Sequence, residues 1–139
     1  LGPIYQAGTL SGNPLSMASG LAMLSALESD KSFYENLGKR SQYLVDGIVS
    51  EAKAQNIPMT SNSVGGMFGL FFSSEKNVSN FSQASSCNIE LFKKFYNAML
   101  KQGIYLAPSA YEAGFLSNAH TDDDLDKTIN AASTAFSLI

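Results

Sequence analysis

The feature that most restricts the fold of this chain is one extended segment set between segments of helical periodicity. Residues Met59 to Ser74 have the character of strands, and Gly65-Gly66 within them predicts a bend, which favours a hairpin. Apolar residues before and after this segment recur at helical spacing. The order helix, helix, strands, helix, strand, helix predicts an α+β fold, in which helices cover one face of a small, mainly antiparallel sheet.

Capping residues divide the helical pattern into four predicted helices. Asn13, with Pro14 at the first helical position, opens the first, and its small and apolar residues lead us to expect heavy burial. The second is an amphipathic helix over residues 32–55. Asn88 and Thr121 open the third and the fourth.

Three shorter segments lie between these helices. Residues 104–107 are predicted as a short strand that Pro108 stops, and residues 115–119 as another. Residues 75–86 are rich in Ser and Asn with weak periodicity, so we expect a surface connection.

Composition excludes several classes of function. The chain has 139 residues, 45% of them hydrophobic and 15% charged, which predicts a folded protein with a sizeable core. Nine basic against twelve acidic residues argue against a nucleic-acid partner or an anionic membrane surface, and no apolar run has the ~20 residues of a membrane span. Cys87 is the single cysteine, which excludes an internal disulfide. His120 is the single histidine, so the chain cannot supply the four Cys or His ligands of a usual zinc site, and we expect no metal.

The loop Gly8-Thr9-Leu10-Ser11-Gly12 is the first candidate binding site. Its glycines, hydroxyls and backbone N–H groups directly precede a helix N-terminus, where an anion such as phosphate is favoured. The lysine of a nucleoside-triphosphate P-loop is missing, because Asn13 and Pro14 follow Gly12. The loop is either a phosphate cradle or a plain capped turn.

Glu112 is the second candidate. A lone carboxylate after a predicted strand, among small residues, can orient an amine or relay a proton, although a solvated loop acid has the same appearance. His120 has no Ser or Cys partner, and Cys87 has no neighbouring base, so we assign neither a catalytic role. The aspartates at 122–124 complement the helix dipole and need no metal.

Longer stretches carry a family resemblance. The segment from Tyr5 to Pro14 resembles the end of the large domain in class III, fold-type I pyridoxal-phosphate enzymes. The stretches Val64 to Gly69 and Gly103 to Phe115, with Ser117 and Ala119-His120 close behind, make the fuller pattern similar to the glutamate-1-semialdehyde 2,1-aminomutases of that class.

The resemblance implies roles for four residues. Gly8 and Thr9 match positions that reach the coenzyme phosphate of the partner subunit, in a cofactor site shared across a homodimer. Tyr5 is similar to an aromatic residue at the same shared site, and Glu112 matches an acid of the substrate pocket. Many class III aminotransferases clamp an α-carboxylate with an arginine in the strand that corresponds to residues 104–106, whereas this chain has none there.

The resemblance also implies a division of the chain and a parent enzyme. Residues 1–30 correspond to the end of the cofactor segment and a connecting helix, and residues 31–139 to a small C-terminal α+β domain. The parent is expected to isomerise glutamate-1-semialdehyde to 5-aminolevulinate for tetrapyrrole synthesis, with pyridoxal or pyridoxamine 5'-phosphate as cofactor and a small molecule as substrate. We expect it in the cytoplasm, or in the plastid stroma of a plant.

The Schiff-base lysine of such enzymes lies before the segment that matches this chain. The eight lysines present fall in predicted surface elements, so we expect the chain to be an inactive C-terminal fragment that does not hold the coenzyme alone. The residues up to position 27 are then expected to show an exposed apolar face, local disorder or self-association. Two alternatives remain: a fragment of another class III aminotransferase, and a standalone α+β binding or dimerisation module.

Overall fold

The computed structural model describes residues 2–5 and 7–139. The chain divides into two compact units, Leu1–Phe33 and Tyr34–Ile139, which are described separately below. Gln6, which belongs to the first stretch of the family resemblance, lies outside the described residues.

The first unit contains helix α1, Pro14–Ser29. The Asn13 side chain accepts a hydrogen bond from the backbone N–H of Ser16 (3.1 Å), so the predicted cap is confirmed. No residue of α1 is buried, however, and five of its six large apolar side chains, all but that of Leu27, are 62–76% exposed. The prediction of heavy burial is therefore wrong for the described chain, whereas the expected exposed apolar face is present. A helix with apolar residues on every side is buried only where other elements pack around it, and the sequence of the helix does not show which elements those are.

The other helices are α2 (Phe33–Ala54), α3 (Phe81–Ser85), α4 (Ile89–Lys101) and α5 (Asp122–Phe136). The predicted caps of α4 and α5 are confirmed. Asn88 accepts from the N–H of Leu91 (2.9 Å), and Thr121 forms a reciprocal capping box with Asp124. Gly103 ends α4 with a φ of +82°, a conformation that glycine adopts without strain.

Three short strands form an antiparallel sheet in the order β1-β2-β3, with β1 at Thr60–Val64, β2 at Met67–Phe71 and β3 at Gly114–Phe115. Val64 pairs with Met67 across the tight turn at Gly65, whose φ is +55°, so the predicted hairpin is confirmed. The α+β class and the small antiparallel sheet are confirmed as well.

The core lies between one face of the sheet and the helices α2, α4 and α5. Phe68 and Phe72 alternate with outward residues and belong to this core. The Phe72 ring contacts Phe95 edge to face at 5.5 Å, and Phe95 stacks on Phe136 at 4.7 Å. These buried aromatic contacts hold α4 and α5 against the sheet.

Three segments differ from their predictions. Residues 104–107 form no strand: the N–H of Ile104 donates to the carbonyl of Met99 (3.0 Å), which closes the end of α4 instead of joining the sheet. The strand predicted at 115–119 is instead the two-residue strand β3, Gly114–Phe115. The N–H of Leu116 donates to the carbonyl of Gly66 (2.7 Å), and the chain turns after this residue. Residues 75–86 are not only a connection, since they contain α3.

Candidate functional site

A cavity of about 430 Å³ lies against the hairpin, α3 and the loop at 110–113. Met67, Gly69 and Phe71 of β2 line it. Because these residues alternate with the core residues of the same strand, the cavity lies on the face of the sheet away from the core. One face of the sheet therefore packs on the core, and the other face borders a cavity.

Glu112 lies at this cavity and is exposed. Its N–H donates to the carbonyl of Ser109 (3.1 Å), and the N–H of Tyr111 donates to the Ser109 hydroxyl (3.2 Å), so a small turn fixes the loop. Among the described residues that line the cavity, Glu112 is the only charged one. The structure thus places Glu112 at the same cavity as Val64, Met67 and Gly69, more than forty positions earlier in the sequence.

α3 supplies the part of the site that the sequence analysis missed. Its Phe81 ring lies 5.9 Å from that of Tyr111, measured between centroids, and both rings line the cavity. Asn80 accepts from the N–H of Gln83 (3.0 Å), and the Gln83 side chain accepts from the N–H of Ser79 (2.9 Å). This pattern, a capping residue followed three positions later by Gln, is the signal that predicts a helix start here.

The loop before α1 forms a tight turn. The N–H of Ser11 donates to the carbonyl of Gly8 (2.9 Å), and Gly12 has a φ of +74°. Thr9 is exposed on this turn, and Tyr5 is 90% exposed. The first unit therefore brings Gly8 and Thr9 together on one turn that leads into a capped helix, whereas Glu112 belongs to the second unit.

The remaining candidates have structural partners. The Nδ1 atom of His120 accepts from the N–H of Ser117 (3.1 Å) and lies 3.3 Å from the hydroxyl oxygen of the same residue, so the expectation that His120 has no serine partner is wrong. The carbonyl of His120 accepts from the guanidinium of Arg40. Arg40 also contacts Asp122 (3.0 Å), which ties α2 to the start of α5. Burial raises the pKa of the Cys87 thiol, which disfavours the thiolate, the nucleophilic form.

The three aspartates in the first turn of α5 have different partners. Asp122 pairs with Arg40, Asp123 with Lys127 (2.5 Å), and Asp124 with the cap at Thr121. Two hydrogen bonds from Thr121 hold the pKa of Asp124 below its ordinary value. Within residues 2–5 and 7–139, no three His, Cys, Asp or Glu side chains are grouped so that they could hold a metal ion.

A wider groove of about 830 Å³ runs between residues 104–107, β3 and α5. The residues that line it include none of the four to which the family resemblance gives a binding role: Tyr5, Gly8, Thr9 and Glu112. None of the helices in the described part of the chain has both the length and the apolar character to cross a membrane.

Comparison with solved structures shows where this fold occurs. The chain is similar to an omega-transaminase from Sphaerobacter thermophilus, with a TM-score of 0.75 and 18% identity over 96% of this chain. It is similar to the FumI protein of Sphingopyxis sp. MTA144, described in its PLP internal aldimine form, with a TM-score of 0.76 and 24% identity over 98%. A β-phenylalanine aminotransferase from Variovorax paradoxus gives 0.77 and 23% over 96%.

In each case the chain spans about 30% of the length of the protein that it matches. No protein-family model matches the chain. At these identities the likeness establishes the fold, a portion of the transaminase fold that extends over nearly the whole of this chain.

Proposed function

We propose that this chain is the C-terminal part of a pyridoxal-phosphate-dependent class III enzyme. The observation that carries the proposal is the shared fold: 96–98% of the chain superposes on less than a third of two transaminases and of the FumI protein. A standalone module would not be expected to share both the segment around α1 and the α+β unit with much larger enzymes. The family resemblance of the stretches at Tyr5 to Pro14 and Gly103 to Phe115 supports the same assignment.

The turn before α1 has the features of one part of a phosphate-binding site. Thr9 offers a hydroxyl donor, Gly8 has no side chain to block an approach to the backbone, and both are exposed. The adjoining helix N-terminus adds a positive partial charge. The loop carries no cation between Gly8 and Pro14, so the full charge of a phosphate must be balanced by residues of the parent enzyme or its partner subunit. Gly8 and Thr9 would hold the phosphate in that larger site.

The eight lysines of the chain do not suit the Schiff-base role. All eight are exposed on helices or connections, and none lines the cavity beside Glu112. A lysine that carries the coenzyme needs a fixed position at the reacting atoms. Pyridoxal phosphate supplies the electron sink for amino-group chemistry when it is bound, and we place the lysine that carries it elsewhere in the parent.

Glu112 is proposed to act on the substrate side. The carboxylate stands alone at an otherwise uncharged cavity, where it can accept hydrogen bonds from an ammonium group and orient it. In the parent homodimer, Gly8 and Thr9 are proposed to contact the coenzyme phosphate of the partner subunit, and Tyr5 and Glu112 are each proposed to contact substrate.

We further propose that the parent is a glutamate-1-semialdehyde 2,1-aminomutase. The residues Ile104, Tyr105 and Leu106 include no arginine to clamp the α-carboxylate of a separate amino donor. An aminomutase moves the amino group within one substrate and needs no such donor. The second candidate is a class III aminotransferase for an amine with an apolar body, which the apolar lining of the cavity by Met67 and Phe71 favours.

The deciding experiment uses the complete protein encoded by the gene. Purified enzyme loaded with coenzyme is given glutamate-1-semialdehyde without an amino donor, and 5-aminolevulinate is measured. Sustained formation supports the aminomutase. A strict requirement for an added amino donor refutes it and supports the second candidate, while failure to bind pyridoxal phosphate at all refutes both.

A further inference from the structure

The cavity beside Glu112 has an aromatic wall formed by Phe81 of α3 and by Tyr111. The two ring planes are inclined by 41°. Phe81 is 74% exposed and Tyr111 is 54% exposed, although both line the cavity. Exposed rings beside a cavity offer apolar area that a bound ligand would remove from water.

The position of Phe81 is fixed by the structure around α3. Val78, three positions before Phe81, is buried at 4% exposure, and its carbonyl accepts from the Asn62 side chain of β1 (2.6 Å). The helix start is secured by Asn80 and Gln83. The ring of Phe81 is therefore carried by a backbone that is tied to the sheet, which lowers the cost of ordering it against a ligand.

The floor of the cavity is also aromatic. A Cβ atom built on Gly69 would lie 2.9 Å from the ring of Phe71, so the missing side chain lets this ring lie over the strand. Gly69 and Phe71 both line the cavity. A ligand that reaches Glu112 thus meets an aromatic floor as well as an aromatic wall.

We propose that Phe81 is a specificity-determining residue of this cavity. Phe81 and Tyr111 pack against the apolar body of a small organic ammonium ligand, while the carboxylate of Glu112 receives its charged end. No lining residue among those described offers a positive charge for an anionic group. The inference rests on the proposed function in taking Glu112 as the substrate contact, and within it on the second candidate, an aminotransferase for an amine with an apolar body, because glutamate-1-semialdehyde has a carboxylate and no apolar body. The role of Phe81 comes from the placement of α3 alone.

The test is a titration of the ¹⁵N-labelled 139-residue chain, followed by backbone amide chemical shifts. Three probes are compared: phenethylammonium, methylammonium and phenethyl alcohol. The proposal expects shifts at Gly69 and Glu112, with phenethylammonium binding more tightly than the other two. Methylammonium lacks the apolar body, and the alcohol lacks the charge, so each comparison isolates one half of the recognition.

Two variants separate the halves. Phe81→Ala is expected to weaken phenethylammonium about 2- to 10-fold and to leave methylammonium unchanged. Glu112→Gln is expected to remove the preference for phenethylammonium over the alcohol, a change of roughly 2- to 5-fold. Phe81→Leu keeps an apolar side chain and should lie between wild type and Phe81→Ala.

Leu138→Ala is the matched control, because Leu138 is 70% exposed and does not line the cavity. It should leave all three affinities unchanged. If Phe81→Ala leaves the preference for phenethylammonium over methylammonium intact, or if the shifts map outside the cavity, the proposal is overturned. The measurement needs no coenzyme, so probe binding that persists when the parent makes no 5-aminolevulinate rejects the aminomutase alone, and absent binding in an active enzyme rejects only this inference.

Discussion

Replacing Ser41 by alanine is expected to stabilise the chain. Ser41 lies on α2 at 0% exposure, and its hydroxyl has no hydrogen-bond partner among the residues that the structure describes. A buried hydroxyl without a partner costs about 1–3 kcal/mol relative to a satisfied one. Alanine is also the better helix former, by roughly 0.5 kcal/mol. After the lost contacts of the oxygen are subtracted, we expect a net gain of about 1–2 kcal/mol in the free energy of unfolding.

The matched control is Ser50→Ala, because Ser50 lies on the same helix with its side chain exposed. It should gain only the helix-propensity share, about 0.5 kcal/mol. Urea unfolding followed by circular dichroism measures both, and the slope of the transition should not change. The reasoning is refuted if Ser41→Ala is no more stable than Ser50→Ala, since the hydroxyl would then have a partner.

Three other perturbations test the core, a cap and the cofactor loop. Phe95→Ala removes a fully buried ring that stacks on Phe136 and should cost about 3–5 kcal/mol by urea unfolding; a loss below about 1 kcal/mol would contradict the core described here. Because the folded pKa of Asp124 lies below its unfolded value, its contribution to stability is present above the unfolded pKa and is lost as the pH falls through the folded one. Asp124→Asn should therefore flatten the acid side of the stability–pH curve, and an unchanged curve would show that the bonds from Thr121 do not matter. Thr9→Val in the complete protein should weaken pyridoxal-phosphate affinity without changing the free energy of unfolding, and equal affinity would remove Thr9 from the site.

Local chemistry explains which parts of the fold could be predicted. Asn13, Asn88 and Thr121 each cap a helix through a side chain that bonds a backbone N–H within the next three residues. Gly65 provides the positive φ that the hairpin needs within the turn itself. These features depend on neighbours in sequence, so a single sequence reveals them.

Two predictions that depended on distant partners were wrong. Residues 104–107 have the composition of a strand, but a strand also requires a hydrogen-bonded neighbour, and β3 pairs with β2 instead. The prediction that α1 is buried was wrong for the same reason. The apolar pattern shows that the helix suits a buried position, but it does not show that this chain provides elements to pack around it.

The candidate site shows the same limit. Glu112 was identified from its motif, yet its approach to Val64 and Gly69 follows from the pairing of Gly114 with Phe68, which links segments far apart in sequence. Phe81 was missed because residues 75–86 carry no apolar periodicity, and only the pattern of Asn80 and Gln83 marks the helix. The sequence therefore identifies the acid of the site but not the wall beside it.

The central claim, that this chain is part of a pyridoxal-phosphate enzyme and does not itself carry the coenzyme lysine, has one direct test. The complete protein is purified with pyridoxal phosphate, the linkage to lysine is reduced with borohydride, and the modified residue is found by peptide mass spectrometry. The account predicts one modified lysine outside these 139 residues. A modified lysine within them, or no coenzyme-dependent modification anywhere, would contradict it.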